Sequence, residues 1–427
     1  MKAKNVVVGV AGGVLAVAVG ATAVVGVRAH QLYEGLDHGQ PFTIAEPERV
    51  ATPAGADPKP VDMATLTTRL DALADNPALG TVHGKVVDTT SGQTVWERNP
   101  GDPLTPASST KLLTTSAAIL AMDADKTIIT DVVAGPVPGS VVIRAAGDVW
   151  LTPERIDALA QQIPGPVEQV SIDTSVWGGE EYLAGWTDGN IEEGYIAPLQ
   201  PAMIYGGRLG ETTGDVPRSH TPAFDVAAEL AARLGAATVA VGPAPENAQV
   251  LASTQSPPLS ERIRQTNLHS DNVMAEAIGR ELALHRGTGN TSQAATQATL
   301  ETLTEAGFDT IGTTLADNSG LSELNLIAPR LLSDLVTAAA TGDRLRPLLG
   351  TLPVAHGDGT LEVRYADLPG RGWVRAKTGT LTGANALVGT VTAQSGRVYT
   401  FALLSNGSDI LEGRQALDEF ASALREH

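Results

Sequence analysis

Pro106-Ala107-Ser108-Ser109-Thr110-Lys111-Leu112-Leu113 places a serine hydroxyl and a lysine amine three positions apart, at what reads as a helix start. A proline precedes the pair, and Leu112, Leu113, Ala117 and Leu120 follow as a buried stripe. Positions i and i+3 share one helix face, so Lys111 reaches back towards Ser108 Oγ. A serine hydroxyl becomes a useful nucleophile when an adjacent base takes its proton, and a neutral lysine is such a base. The N–H groups at the helix start would face an oxyanion formed at Ser108. Two fixed residues in four also arise by chance in a chain of 427, so the weight of this pattern depends on partners further along.

Two partners are present. Ser270-Asp271-Asn272 stands between two helical segments, where the chain must turn and its side chains can face a cleft. Lys377-Thr378-Gly379-Thr380 lies on a strand, with Gly379 letting another backbone approach closely. Each has an ordinary reading: Ser-Asp-Asn is also helix-capping chemistry, and Lys-Thr-Gly could be an exposed edge strand. In one chain and in this order, S-x-x-K, S-D-N and K-T-G form the set of the penicillin-binding proteins and class A β-lactamases.

The length of 427 residues, 42% of them apolar, allows two or three domains with large cores. A net charge of −19 argues against a nucleic-acid partner, because a polyanion would be repelled. The absence of cysteine removes disulfides, thiolate metal sites and cysteine nucleophiles, and suits an exported protein. Lys2 and Lys4 precede an uncharged run over residues 6–27, which at about 1.5 Å per residue crosses a hydrocarbon core of roughly 30 Å. Two readings stand: an uncleaved membrane anchor, or a signal peptide cut after Ala21-Thr22-Ala23. The run continues apolar past that site, which favours the anchor. Either way the remainder lies outside the cytoplasm.

Residues 29–61 read as a linker, with prolines at 41, 47, 53, 58 and 60. Asp62 then caps a helix carrying Leu66, Leu70 and Leu73 on one face. Strands are expected over residues 81–88 and 94–98, and later over 141–145 and 167–173. Thr152 and Pro153 open a helix to about residue 162. Further helices are expected at 223–234, ending at Gly235, and at 260–266, 272–285 and 329–341. Strands at 372–377, 386–392 and 398–405 and a helix at 411–425 close the chain. Residues 178–222 have poor periodicity. Trp177, Tyr182, Trp186, Tyr195 and Tyr205, in or beside them, either pack an irregular region or form one wall of a substrate groove. There is no H-E-x-x-H motif and the histidines are scattered, so neither a metal nor another cofactor is implied.

From about residue 62 onward the chain resembles the D-alanyl-D-alanine carboxypeptidases/endopeptidases of the class C, low-molecular-mass penicillin-binding proteins. The flanks of the three motifs carry the likeness, with Asp317-Asn318-Ser319-Gly320-Leu321-Ser322, Asn325-Leu326-Ile327-Ala328-Pro329, Leu352-Pro353-Val354-Ala355, Gly359-Thr360-Leu361 and Ile172-Asp173-Thr174-Ser175. The resemblance implies an α+β fold of the penicillin-binding/β-lactamase type: an antiparallel sheet flanked by helices, an all-α lobe and a smaller inserted domain. Its catalytic domain would be residues 62–121 and 254–427, and the insert residues 122–253, after a signal-anchor or signal peptide (1–28) and the linker (29–61). We expect the insert to supply no catalytic side chain.

The resemblance also implies roles. Ser108 would attack the carbonyl of the penultimate D-alanine in peptidoglycan stem peptides, with Lys111 as base and Ser270 relaying a proton to the leaving amine. Asn272 would hold the substrate amide. Lys377 and Thr378 would face the terminal carboxylate beside Gly379, and the N–H groups of Ser108 and Thr380 would form the oxyanion hole. Burial and the neighbouring Lys377 charge are expected to lower the pKa of Lys111. β-Lactams would be covalent inhibitors. The chain departs from the family pattern at Gly147-Asp148-Val149-Trp150-Leu151 and at Glu323, where a basic residue is common. Two rival readings are a β-lactamase and a non-catalytic wall-binding protein. The first lacks the E-x-x-L-N spacing, since Glu323 directly precedes Leu324-Asn325, and the second has no need of an intact Ser108, Lys111, Ser270, Asn272 and Lys377.

Overall fold

In the computed structural model, residues 24–35 and 58–427 are described. Residues 24–34 are helical, spanning the expected boundary at residues 28 and 29. The rest of the expected anchor and most of the linker lie outside the described residues. No helix among the described residues is long and apolar enough to cross a membrane.

Asp62 caps helix α1 (Met63–Ala74), accepting from the N–H groups of Ala64 at 3.1 Å and Thr65 at 3.2 Å, and Leu66 and Leu70 bury the expected face. Strands β1 (Thr81–Asp88) and β2 (Gln93–Arg98) pair antiparallel. The helix expected to begin at Ser108 begins three residues later. A 3-10 turn, Ala107–Thr110, precedes α2 (Lys111–Ala121), and the chain enters that turn through Ala107 at φ 46°. Such a left-handed conformation costs a residue with a Cβ about 1–2 kcal/mol.

A second sheet follows. It contains β3 (Ile129–Ala134), β4 (Ser140–Arg144), β6 (Gln169–Asp173), β8 (Thr238–Val241) and β9 (Val250–Gln255), in the order β8-β6-β4-β3-β9. β4, β6 and β8 run parallel, and β3 is antiparallel to both its neighbours. Parallel pairing requires crossovers, supplied by α3 (Pro153–Gln162) and α4 (Pro222–Leu234). Ile156 and Leu159 of α3 and Val226 and Leu230 of α4 pack with Ile143, Val170 and Ile172. Between these elements, β5 (Asp148–Leu151) and β7 (Ala202–Ile204) form a short parallel pair. Within residues 177–203, Trp177, Ala197 and Met203 belong to the core of the helical lobe, whereas Ala202 packs with this sheet.

That lobe is built from α2 together with α5 (Leu259–His269), α6 (Asn272–Arg286), α7 (Ser292–Glu305) and α8 (Pro329–Thr341). Helix α7 is absent from the sequence expectations. Its buried face is mostly alanine, serine and threonine, with Leu303 its one buried leucine, too few large side chains to give a leucine-like period. Strands β10 (Val374–Leu381), β11 (Ala384–Thr392) and β12 (Val398–Asn406) then join β1 and β2 in one antiparallel sheet ordered β10-β11-β12-β1-β2, and α9 (Ile410–Arg425) ends the chain. Side chains alternate across this sheet. Ala386, Val388, Ala402 and Leu404 face the helical lobe, whereas Leu387, Val391, Phe401 and Leu403 face Leu66, Leu70, Phe420 and Leu424 of α1 and α9. This is the expected α+β architecture.

Two glycines let the sheet and lobe close around the Ser108 turn. A methyl group on Gly379 would lie 2.7 Å from the Pro106 carbonyl oxygen, and one on Gly320, at φ +83°, would lie 1.9 Å from that of Ala107. Gly320→Ala should therefore lose at least about 1–2 kcal/mol from backbone strain alone, before any clash. Denaturant unfolding checks this; a variant as stable as the parent contradicts it.

Candidate active site

The 3-10 turn fixes the first pair. With three residues per turn, positions i and i+3 lie one above the other, and Lys111 Nζ comes within 3.0 Å of Ser108 Oγ. The same nitrogen donates to Asn272 Oδ1 at 2.7 Å and to the Ser319 carbonyl at 2.7 Å. A neutral amine has two protons and one lone pair. With both protons spent on those oxygens, the lone pair is left for the Ser108 hydroxyl. Burial lowers the pKa of Lys111 to about 8, against Asp317, Asp271 and Glu276, whose negative charge favours the protonated form. Lys377 is held well below the ordinary lysine value by burial and by the Lys111 charge, and because like charges disfavour each other the same encounter disfavours charge on Lys111.

Ser270 links α5 to α6 in the left-handed conformation, φ 60°, and its Oγ accepts from Lys377 Nζ at 2.9 Å. Asp271 caps α6, with Oδ1 accepting from the Met274 N–H at 2.8 Å. Its Oδ2 is clamped by Arg208 Nη2 at 2.5 Å and Arg218 Nη2 at 2.9 Å, all three side chains being buried. Burial alone would raise this carboxyl, but Arg218 and Arg208 outweigh it and hold it well below the usual carboxylate range. Asn272, one residue on, donates from Nδ2 to the Tyr195 carbonyl at 3.1 Å.

The expected Lys-Thr-Gly-Thr strand is β10, an edge of its sheet. Lys377 Nζ also donates to the Thr378 carbonyl at 2.8 Å, and Thr378 Oγ1 donates to Thr360 Oγ1 at 2.8 Å. Gly379 touches the turn that carries Ser108, and Thr380 sits beyond it. All eight expected site residues thus converge on one region. Ser108, Ser270, Asn272, Thr378 and Thr380 line an open cleft of about 1140 Å³, with Lys111 and Lys377 buried behind it.

With this geometry stand the relatives. The chain matches the D-Ala-D-Ala carboxypeptidase 3 (S13) family over residues 66–228 and 210–426. A carboxypeptidase DacB of Mycolicibacterium smegmatis is 42% identical over 407 residues, covering 87% of this chain and 88% of that one. The chain belongs to the S13 family. A D-alanyl-D-alanine carboxypeptidase of an Actinomadura species is 28% identical, with 84% of each chain covered. The crystal structure of penicillin binding protein 4 from Haemophilus influenzae shares the fold, with a TM-score of 0.71 at 24% identity over 86% of this chain and 98% of that one. That protein has also been crystallised with a β-lactam.

The expectation of a serine-type D-Ala-D-Ala carboxypeptidase thus agrees with the S13 membership. Several residues around this site, some of them quoted from sequence without a role, support its geometry. Asp317 organises the loop beneath Lys111, its Oδ1 accepting from the Gly320 N–H at 2.7 Å and its Oδ2 from the Ser322 N–H at 2.8 Å and Trp186 Nε1 at 2.9 Å. Glu276 accepts from the Asn318 N–H at 2.8 Å, and burial followed by the Asp317 charge pushes its carboxyl up to about 8. Trp186, Tyr195, Arg208 and Arg218 all come from the aperiodic stretch. Thr187, Asn190, Glu193, Tyr195 and Asp215 line the cleft, so of the five aromatic residues read as packing or as a groove wall Tyr195 reaches it, whereas Trp177 packs in the core of the helical lobe.

Asp271→Ala should strand two buried guanidinium groups and remove a helix cap. A loss of about 3–5 kcal/mol in chemical unfolding is expected, and a loss under about 1 kcal/mol contradicts the clamp.

Proposed function

We propose that Ser108 is the nucleophile and Lys111 the base of a D,D-carboxypeptidase acting on D-alanyl-D-alanine ends of peptidoglycan stem peptides. The observation that carries this is the Lys111 amine, with Asn272 Oδ1 and the Ser319 carbonyl as acceptors and Ser108 Oγ 3.0 Å away. The Ser108 proton passes to Lys111 as Oγ bonds to the penultimate carbonyl carbon, and the N–H groups of Ser108 and Thr380 receive the oxyanion. Collapse breaks the peptide bond, and the proton held by Lys111 is relayed through the hydroxyl of Ser270, itself hydrogen-bonded to Lys377, to the leaving amine, which returns Lys111 to its neutral form. Water then attacks the acyl-enzyme and releases the shortened peptide. Asn272 orients the acyl side, and an extended peptide would lie along the edge strand β10.

Lys377 and Thr378 would meet the carboxylate of the leaving D-alanine. A carboxylate there favours charge on Lys377, and a charge on Lys377 disfavours one on Lys111, so substrate binding itself promotes the neutral base. The same steps applied to a cross-link in place of a free end would make the enzyme a D,D-endopeptidase.

A β-lactam offers an equivalent carbonyl and should acylate Ser108 and spare Ser109, whose fully buried Oγ donates to the Pro106 carbonyl at 2.7 Å. Labelled penicillin followed by peptide mapping tests this, and label that survives Ser108→Ala overturns it. The rate of labelling should rise with pH through the Lys111 pKa of about 8, because only the neutral amine takes the proton. A rate that falls over the same range removes Lys111 as the base.

The enzyme acts outside the cytoplasm. The apolar run over residues 6–27 behind Lys2 and Lys4 supports tethering at the outer face of the cytoplasmic membrane. An intact N-terminus in the membrane fraction is the expected result of N-terminal sequencing. A mature chain beginning at Val24 in the medium replaces the tether with a cleaved signal peptide.

A further inference from the structure

Arg414 on α9 lines the same cleft as Ser108, Thr378 and Thr380, and its Nε donates to Thr380 Oγ1 at 3.1 Å. Asp418, one helical turn on at i+4, is the carboxylate that would ordinarily pair with it. Both oxygens of Asp418 are instead engaged by Arg364, from Nε at 2.9 Å and Nη2 at 2.6 Å. Arg364 also donates to the Arg414 carbonyl at 3.3 Å. Two guanidinium groups therefore share one carboxylate at this end of the cleft. Among the described residues no carboxylate forms an ion pair with Arg414, and its two Nη groups have no protein acceptor. Arg414 is half-buried, and burial followed by the neighbouring Arg364 charge lowers its pKa. The site is short of one negative charge.

The Thr380 hydroxyl accepts from Arg414, so its own proton is free to be donated. The protein acceptor within reach is Asn385 Oδ1, at a long 3.5 Å. A planar anion placed against Thr380 would meet an O–H and the outer edge of a guanidinium, the fork that matches a carboxylate. Other cleft residues, Glu193, Asp215 and Glu323, are acidic, and the second guanidinium lining the cleft, Arg364, is already paired with Asp418.

We propose that Arg414 recognises the free carboxylate of the leaving residue and sets the preference for peptides that end in one. This rests on the carboxypeptidase reading above and adds to it a residue outside the three motifs. It is a binding and orienting contact, with no proton transferred.

The test uses the full-length chain and two substrates, a blocked tripeptide ending in D-alanyl-D-alanine and the same peptide with a C-terminal carboxamide. The wild-type enzyme should favour the acid in kcat/KM by about 10- to 100-fold, the worth of a hydrogen-bonded charge pair. Arg414→Gln should shrink that ratio to within about threefold, mainly by raising KM for the acid, and Arg414→Lys should restore part of it. If Arg414→Gln slows both peptides equally and keeps the ratio, the residue is merely structural and the proposal falls. It falls likewise if the wild-type enzyme shows no preference. Hydrolysis of neither peptide by the wild-type chain removes the carboxypeptidase reading itself, which keeps the two failures distinct.

Discussion

A single buried amine holds the site together. Lys111 Nζ draws in Ser108 from the 3-10 turn, Asn272 from the start of α6, and the Ser319 carbonyl from the loop before α8. These three segments are far apart in sequence and belong to different parts of the fold. A lysine removed from water must find oxygen acceptors or lose its charge, and here it does some of each. The arrangement ties the three segments together and leaves an amine of lowered basicity beside Ser108.

Around that amine the backbone is held in conformations it would not choose freely. Ala107 and Ser270, on opposite sides of the cleft, both have positive φ. Such residues persist only where the surroundings over-determine them. The surroundings are visible. Gly320 and Gly379 leave room for the Ala107 turn, and the Arg208–Asp271–Arg218 clamp pins the residue that follows Ser270. The stretch over residues 178–222, with no regular pattern of its own, thus serves as a brace for the helix that presents Asn272.

What could be read from sequence, and what could not, divides along physical lines. Elements with strong caps or large apolar side chains were legible: Asp62 and α1, Thr152 and Pro153 at α3, and the alternating strands of the C-terminal sheet. Helix α7 was not, because its buried stripe is mostly alanine and threonine. The 3-10 turn at Ser108 reads from sequence as the first turn of an α-helix, since a spacing of three brings the two side chains together in either. The motif residues were legible because reactive side chains come in fixed local spacings. Arg208, Arg218 and Arg414 were not, because ion pairing and its absence depend on partners that only the fold brings near.

The strand pairing has a consequence for when the enzyme comes into being. β1, near the start of the described domain, pairs along its whole length with β12, Thr81 opposite Asn406 and Asp88 opposite Tyr399. Lys377 and Thr380 lie in the same late-arriving sheet. Contacts so distant along the chain must wait for nearly all of it to be present, and they make folding slow. A chain that ends before β10 therefore holds Ser108 and Lys111 without the strand that completes their cleft. The cleft becomes whole only when nearly the last part of the polypeptide is in place.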